Sequence, residues 1–123
     1  MPLFTLVAGA RPNFMKIAPL IHAIQKKQGE GVAVDFRLVH TGQHYDKNMS
    51  GDFFEQLHIP APHANLGGGG GTQAEQTAAI MVAFEQELMA HRPELVLVVG
   101  DVTSTLACSI AAKKLQIDVA HVE

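Results

Sequence analysis

The sequence predicts an α/β fold built on a parallel sheet, and three observations predict it. Short apolar runs rich in β-branched residues recur, the clearest being residues 95–99 (LVLVV), bounded by Gly100. Such a run reads as a strand buried on both faces. Amphipathic helical stretches alternate with the runs, which implies parallel strands joined by right-handed crossovers. Polar residues gather just after the runs rather than before them.

The first strand is residues 3–8 (LFTLVA), followed by the turn Gly9-Ala10-Arg11-Pro12-Asn13. Pro12 disfavours helix at Arg11 but suits the first positions of a helix. Phe14, Ile17, Ala18, Ile21 and Ile24 recur at three- and four-residue spacing, which places them on one buried face. Lys26 and Lys27 suit the negative end of that helix, and Gly29 ends it. Residues 32–39 read as the second strand, and 48–57 as a short helix with Phe53, Phe54 and Leu57 inward. Pro60 and Pro62 impose an irregular stretch. After the glycines at 67–71, a long helix starts at Thr72 or Gln73 and runs to about His91, with Thr77, Ala78, Met81, Phe84 and Leu88 inward. Pro93 keeps that helix out of strand 95–99. Thr103, Ser104 and Thr105 mark the start of an Ala-rich last helix to Leu115, and residues 117–122 form a last strand. The order is β-α-β-α-loop-α-β-α-β, with no internal domain boundary.

The chain's 123 residues suffice for one core, and 47% hydrophobic against 17% charged residues excludes disorder. Nine Lys+Arg against twelve Asp+Glu argue against nucleic acid as a partner, because no basic face can form. No apolar run is long enough for a membrane span, and the one cysteine allows no intrachain disulfide. The expectation is a cytoplasmic protein with no membrane partner. The sequence stops at Glu123, directly on a strand end, and this unfinished α/β unit implies a piece of a longer protein.

Parallel strands place their C-terminal ends along one edge, where open α/β sheets bind ligands. That edge carries Gly9-Ala10-Arg11, Thr41-Gly42-Gln43-His44, Gly100-Asp101 and His121-Val122-Glu123, whereas the other ends, around Gly31, Glu94 and Asp118, hold no comparable set. Arg11 either receives an anion or pairs with a surface carboxylate. Lys16 serves the same anion or is solvated. Asp101 carries chemistry or merely caps the last helix. Glu123 belongs to the site or to ordinary surface. His121 reads as a packed strand residue rather than a base. His44 and Asp46 are too few to hold a metal. His22, His58, His63 and His91 read as surface, and Cys108 as buried and inert. The glycine run has GxGxxG-like spacing, but no convincing strand precedes it, so the dinucleotide-binding context is missing. It is either a flexible linker or a mobile loop over a ligand at the next helix.

Taken in order, Gly9-Ala10-Arg11-Pro12 with Lys16, Thr41-Gly42-Gln43-His44-Tyr45-Asp46, Gly100-Asp101 with its hydroxyl run, and His121-Val122-Glu123 resemble the start of the non-hydrolysing UDP-N-acetylglucosamine 2-epimerases. The resemblance covers essentially the whole chain. It implies a three-layer Rossmann-like parallel sheet, the incomplete first domain (residues 1–123) of a two-domain, glycosyltransferase-B-like fold whose second, UDP-binding domain lies elsewhere. It implies reversible C2 inversion of a UDP-linked N-acetylhexosamine by elimination and re-addition of UDP. Asp101 and Glu123 are then the acid/base carboxylates, and Arg11 with Lys16 meets the diphosphate. His121 joins the substrate-binding set, and Gln43 and His44 match a region that in some members binds a second, regulatory UDP-sugar. No metal or redox cofactor is implied, and the full-length protein is expected to be a homodimer. Many members carry Glu where this chain has Asn13, and RPNFMK, GQHYD and the glycine loop are closer to a branch acting on UDP-diacetamido uronic acids. The expected function is therefore a UDP-N-acetylglucosamine 2-epimerase or a 2-epimerase of another UDP-acetamido sugar. The rivals are a transferase of the same architecture, a hydrolysing relative and a non-catalytic nucleotide-sugar-binding module. The 123-residue piece alone is expected to be inactive.

Overall fold

Alternating side chains along the strands split the hydrophobic core into two halves, one on each side of a sheet. A computed structural model describes residues 2–42, 51–67 and 71–122. Its elements are β1 (Leu3–Ala8), α1 (Arg11–Gly29), β2 (Asp35–His40), α2 (Gly51–Gln56), β3 (Ala64–Asn65), α3 (Gln73–Ala90), β4 (Leu95–Val99), α4 (Thr103–Lys114) and β5 (Asp118–Val122). The strands are all parallel, in the order β3-β2-β1-β4-β5. Leu6, Ala8, Phe36 and Leu38 pack with Phe14, Ile17 and Ile21 of α1 and Phe53 and Phe54 of α2. Val7, Val39, Val96 and Val98 pack on the other face with Ile80, Phe84 and Leu88 of α3 and Ala107, Cys108 and Ala111 of α4. The three-layer arrangement follows from this period-two sorting. Burying each large side chain contributes about 1.5–3 kcal/mol, and Phe14, Ile17, Phe84 and Leu88 are fully buried. Cys108 is buried among them, and desolvation pushes its thiol pKa far up.

Four features depart from the sequence expectation. β2 begins at Asp35, not at 32, because the Val32 N–H donates back to the Lys27 carbonyl (3.0 Å) and stays with the end of α1. The stretch after Pro60 and Pro62 contains β3, whose ladder with β2 is Val39↔Ala64 and His40↔Asn65. His63 lengthens that ladder: its N–H donates to the Leu38 carbonyl (2.7 Å), and its Nδ1 accepts the Leu38 N–H (2.9 Å). The buried stripe of α3 is Ile80, Phe84 and Leu88, whereas Ala78 is exposed, since α3 packs on α4 as well as on the sheet. The hydroxyls at the start of α4 do not cap it: the N-cap is Val102, which has no capping side chain, and Thr105 Oγ1 donates to the Val99 carbonyl (2.8 Å).

Two cross-layer ties fix the helices. Arg37 of β2 makes a two-pronged ion pair with Glu87 of α3, Nε to Oε2 at 2.8 Å and Nη2 to Oε1 at 3.1 Å. His22 of α1 reaches the carbonyls of Leu57 and His58 just after α2, at 2.9 and 3.1 Å. Among the described residues, no helix is long and apolar enough to cross a membrane.

Candidate active site at the strand-order reversal

The chain builds β1, β2 and β3 outward in one direction and then β4 and β5 in the other, so the order reverses between β1 and β4. Loops leaving two neighbouring strands in opposite directions open a crevice, and open α/β sheets bind ligands there. Residues 9–11 follow β1 and residues 100–102 follow β4. Gly9 is buried, and a Cβ on it would run into Ser104 Oγ and lie 2.8 Å from Thr41 Oγ1. Three βα junctions therefore converge on one glycine.

Gly100 has φ +75°, a conformation that favours glycine. Its N–H donates to the Val122 carbonyl (3.1 Å), and its own carbonyl accepts from His121 Nε2 (2.6 Å). His121 thus ties β5 to the turn that carries Asp101. With Nε2 committed to this bond, Nδ1 is the ring nitrogen left for a ligand. Asp101 is exposed and forms no hydrogen bond or ion pair among the described residues; with Val102 as the N-cap, the helix-capping reading is set aside.

Arg11 is the first residue of α1, with Pro12 after it. Its guanidinium lies 4.8 Å from the Phe53 ring centroid, a cation–π arrangement. No carboxylate among the described residues pairs with it, so the surface-pair reading is also set aside. Lys16 is exposed and likewise unpaired among those residues. Its five-residue offset turns it about 140° round the helix from Arg11. Gln43, His44 and Glu123 lie outside the described residues.

Two residues that the sequence did not single out for the site stand at this edge. Asn13 is 6% exposed, and its Oδ1 accepts from the backbone N–H groups of Gly9 (3.1 Å) and Ala10 (3.0 Å). Its Nδ2 would lie 3.2 Å from a Cβ placed on Gly100, so one side chain spans the two loops of the crevice. The available signal was a polar residue at the third helical position, where side chains return to cap the preceding backbone. His40 is buried at the end of β2, stacked on Phe14 at 5.2 Å, with Nδ1 accepting the Gly42 N–H (2.7 Å). Desolvation lowers its pKa, so the ring is held neutral as an acceptor toward the turn at Gly42. No sequence signal marks this role.

The glycine run also needs correction. β3 stands directly before it, and α3 directly after it, closed by a capping box in which the Thr72 N–H donates to Glu75 Oε1 and the Glu75 N–H to Thr72 Oγ1, both at 3.1 Å. The strand–glycine–helix context expected to be missing is therefore present, although residues 68–70 lie outside those described. Among the described residues, no three His, Cys, Asp or Glu side chains cluster to hold a metal.

Comparison with known proteins agrees with this geometry. The UDP-N-acetylglucosamine 2-epimerase of Methanocaldococcus jannaschii is 41% identical over 119 residues, 97% of this chain and 31% of the relative. The UDP-2,3-diacetamido-2,3-dideoxy-D-glucuronate 2-epimerase of Pseudomonas aeruginosa is 42% identical over 123 residues, 100% of this chain and 33% of the relative. The crystal structure of the M. jannaschii UDP-GlcNAc 2-epimerase in complex with UDP-GlcNAc and UDP superposes with a TM-score of 0.87, covering 100% of this chain and 32% of that one. The chain thus spans about a third of the length of these relatives. The family model described as UDP-N-acetylglucosamine 2-epimerase matches residues 25–123. This chain belongs to the UDP-N-acetylglucosamine 2-epimerase family.

Proposed function

We propose that residues 1–123 are the N-terminal, Rossmann-like part of a two-domain, glycosyltransferase-B-like enzyme that interconverts UDP-N-acetylglucosamine and UDP-N-acetylmannosamine. The observation that carries the reading is the placement of Arg11 and Asp101, both unpaired among the described residues, on the two junctions that flank the reversal. An unpaired cation suits a diphosphate, and an unpaired carboxylate suits a proton in transit.

In the proposed reaction a carboxylate takes the C2 proton. The C2–H electron pair forms a C1=C2 double bond, and the C1–O bond breaks with its pair leaving on UDP. In the return step the UDP oxygen bonds to C1 and a proton enters C2 from the opposite face. Asp101 and Glu123 are assigned to the two proton transfers, on the principle that paired carboxylates divide into acid and base. Arg11, with Lys16 as a more distant cation, steadies the departing diphosphate. His121 positions the Asp101 turn, and Gln43 and His44 are assigned to a second, regulatory UDP-sugar. The whole polypeptide acts as a homodimer without a metal or redox cofactor.

A second reading is favoured by one finding: the P. aeruginosa diacetamido-glucuronate epimerase matches every residue of the chain at 42% identity. The test is to express the polypeptide encoded by reading on past Glu123 and incubate it in deuterated water with each UDP-sugar. Proton NMR is expected to show deuterium entering C2 as the epimer appears, with the faster substrate naming the branch. Transfer to an acceptor without C2 exchange would indicate a transferase, release of free sugar a hydrolysing enzyme, and binding without exchange a sensor. The 123-residue piece alone is expected to show no turnover.

A further inference from the structure

The geometry points to Asn13 as a ligand-contacting residue whose side-chain amide donates to an acceptor oxygen of the nucleotide-sugar in the crevice between β1 and β4. The inference rests on the nucleotide-sugar reading above. It starts from an incomplete set of hydrogen bonds. Asn13 is 6% exposed, and both N–H groups that its Oδ1 accepts belong to the β1–α1 turn. Those two bonds fix the amide orientation, because turning it over would set Nδ2 against two donors. Nδ2 donates to nothing among the described residues. A buried amide donor without an acceptor is unfavourable and calls for a partner from outside the chain.

The surroundings agree. Nδ2 faces the Gly100 loop, and only the missing Cβ of Gly100 leaves the space beside it open. The Arg11 N–H, at the first helical position, has no intrahelical acceptor and no partner among the described residues, and Pro12 contributes no N–H. The crevice is thus supplied with an amide donor, a backbone donor at a helix N-terminus and the Arg11 guanidinium, a set suited to oxygen acceptors. That oxygen belongs either to the diphosphate or to the sugar.

The test separates contact from turn-holding. Asn13→Asp keeps the oxygen that accepts from Gly9 and Ala10 but replaces the N–H groups with an acceptor. Asn13→Ala removes both functions. In the whole enzyme, Asn13→Asp is expected to keep a melting temperature within a few degrees of the parent while weakening ligand binding at least about tenfold. Asn13→Ala loses both. Equal weakening toward UDP and UDP-N-acetylglucosamine assigns the oxygen to the diphosphate, and weakening toward UDP-N-acetylglucosamine alone assigns it to the sugar. Parental affinity and turnover in Asn13→Asp would overturn the proposal. A readout that needs no folded variant is the Asn13 side-chain amide signal in nitrogen-15 NMR of the parent enzyme: it is expected to shift on saturation, and a signal that stays still while ligand binds overturns the proposal alone. A parent that binds neither ligand overturns the nucleotide-sugar reading, and this proposal with it.

Discussion

The two ends of the sheet treat charge in opposite ways. At the N-terminal end, Lys27 pairs with Glu30 at 3.7 Å and Lys113 with Asp118 at 3.9 Å. Nearby lies an apolar cavity of about 390 Å³, lined by Pro2, Phe4, Ile24, Val32 and Val34 with Lys27 at its edge. At the C-terminal end, Arg11 and Asp101 are left without ion partners among the described residues, and the space between them is bounded by glycines and a buried amide. A cavity alone would have pointed to the wrong end. Unpaired charge at the reversal of strand order is the better guide, because a ligand supplies there the partner that the chain withholds.

Substitutions at matched positions test this contrast. In the whole enzyme, Asp101→Asn is expected to cut turnover by about 10²–10⁴-fold, whereas Asp118→Asn at the other end leaves it unchanged; equal rates in the two variants would sink the contrast. The next largest effect is on folding. Phe14→Ala opens the aromatic group formed with His40, Phe53 and Phe54 and is expected to cost about 3–5 kcal/mol in urea unfolding. Glu87→Gln leaves Arg37 half-buried and unpaired, at roughly 3 kcal/mol, while Lys113→Ala, at an exposed pair, stays within about 1 kcal/mol. The smallest effect is a dependence on pH. Burial lowers the pKa of His40 and of His63 below the ordinary 6.5, with Arg37 adding to the effect at His63. The unfolded chain therefore takes up these protons first. Stability is whole above pH 6.5 and falls as the pH drops from there through the lowered values. A His40→Gln variant should flatten part of that slope in urea midpoints measured from pH 7 to about pH 5.

What the sequence made legible, and what it hid, follows from the range of the interactions. β1, α1, α3, β4, α4 and β5 rest on local periodicity, which the residues carry themselves, and the polar rim follows from where parallel strands end. β3 was hidden because two residues between prolines and glycines give no period, and its ladder is finished by an imidazole from His63. The inner face of α3 was misjudged at Ala78 because packing against α4 rotates the buried stripe, a contact between distant segments. Asn13 was passed over as a departure from a family pattern, although its importance lies in bridging two loops that the sheet brings together. His40 looked like an ordinary strand end, and only the fold shows its ring buried against Phe14.

Cys108 is the sole sulfhydryl in the chain, fully enclosed between α4 and the sheet. An alkylating reagent cannot reach it without parting the helix from the strands, and its protonated state slows the reaction further. The rate at which a maleimide labels the folded protein thus becomes a clock for transient breathing of that layer. Slower labelling when a nucleotide occupies the far rim would reveal, without any mutation, that the two layers open as one unit.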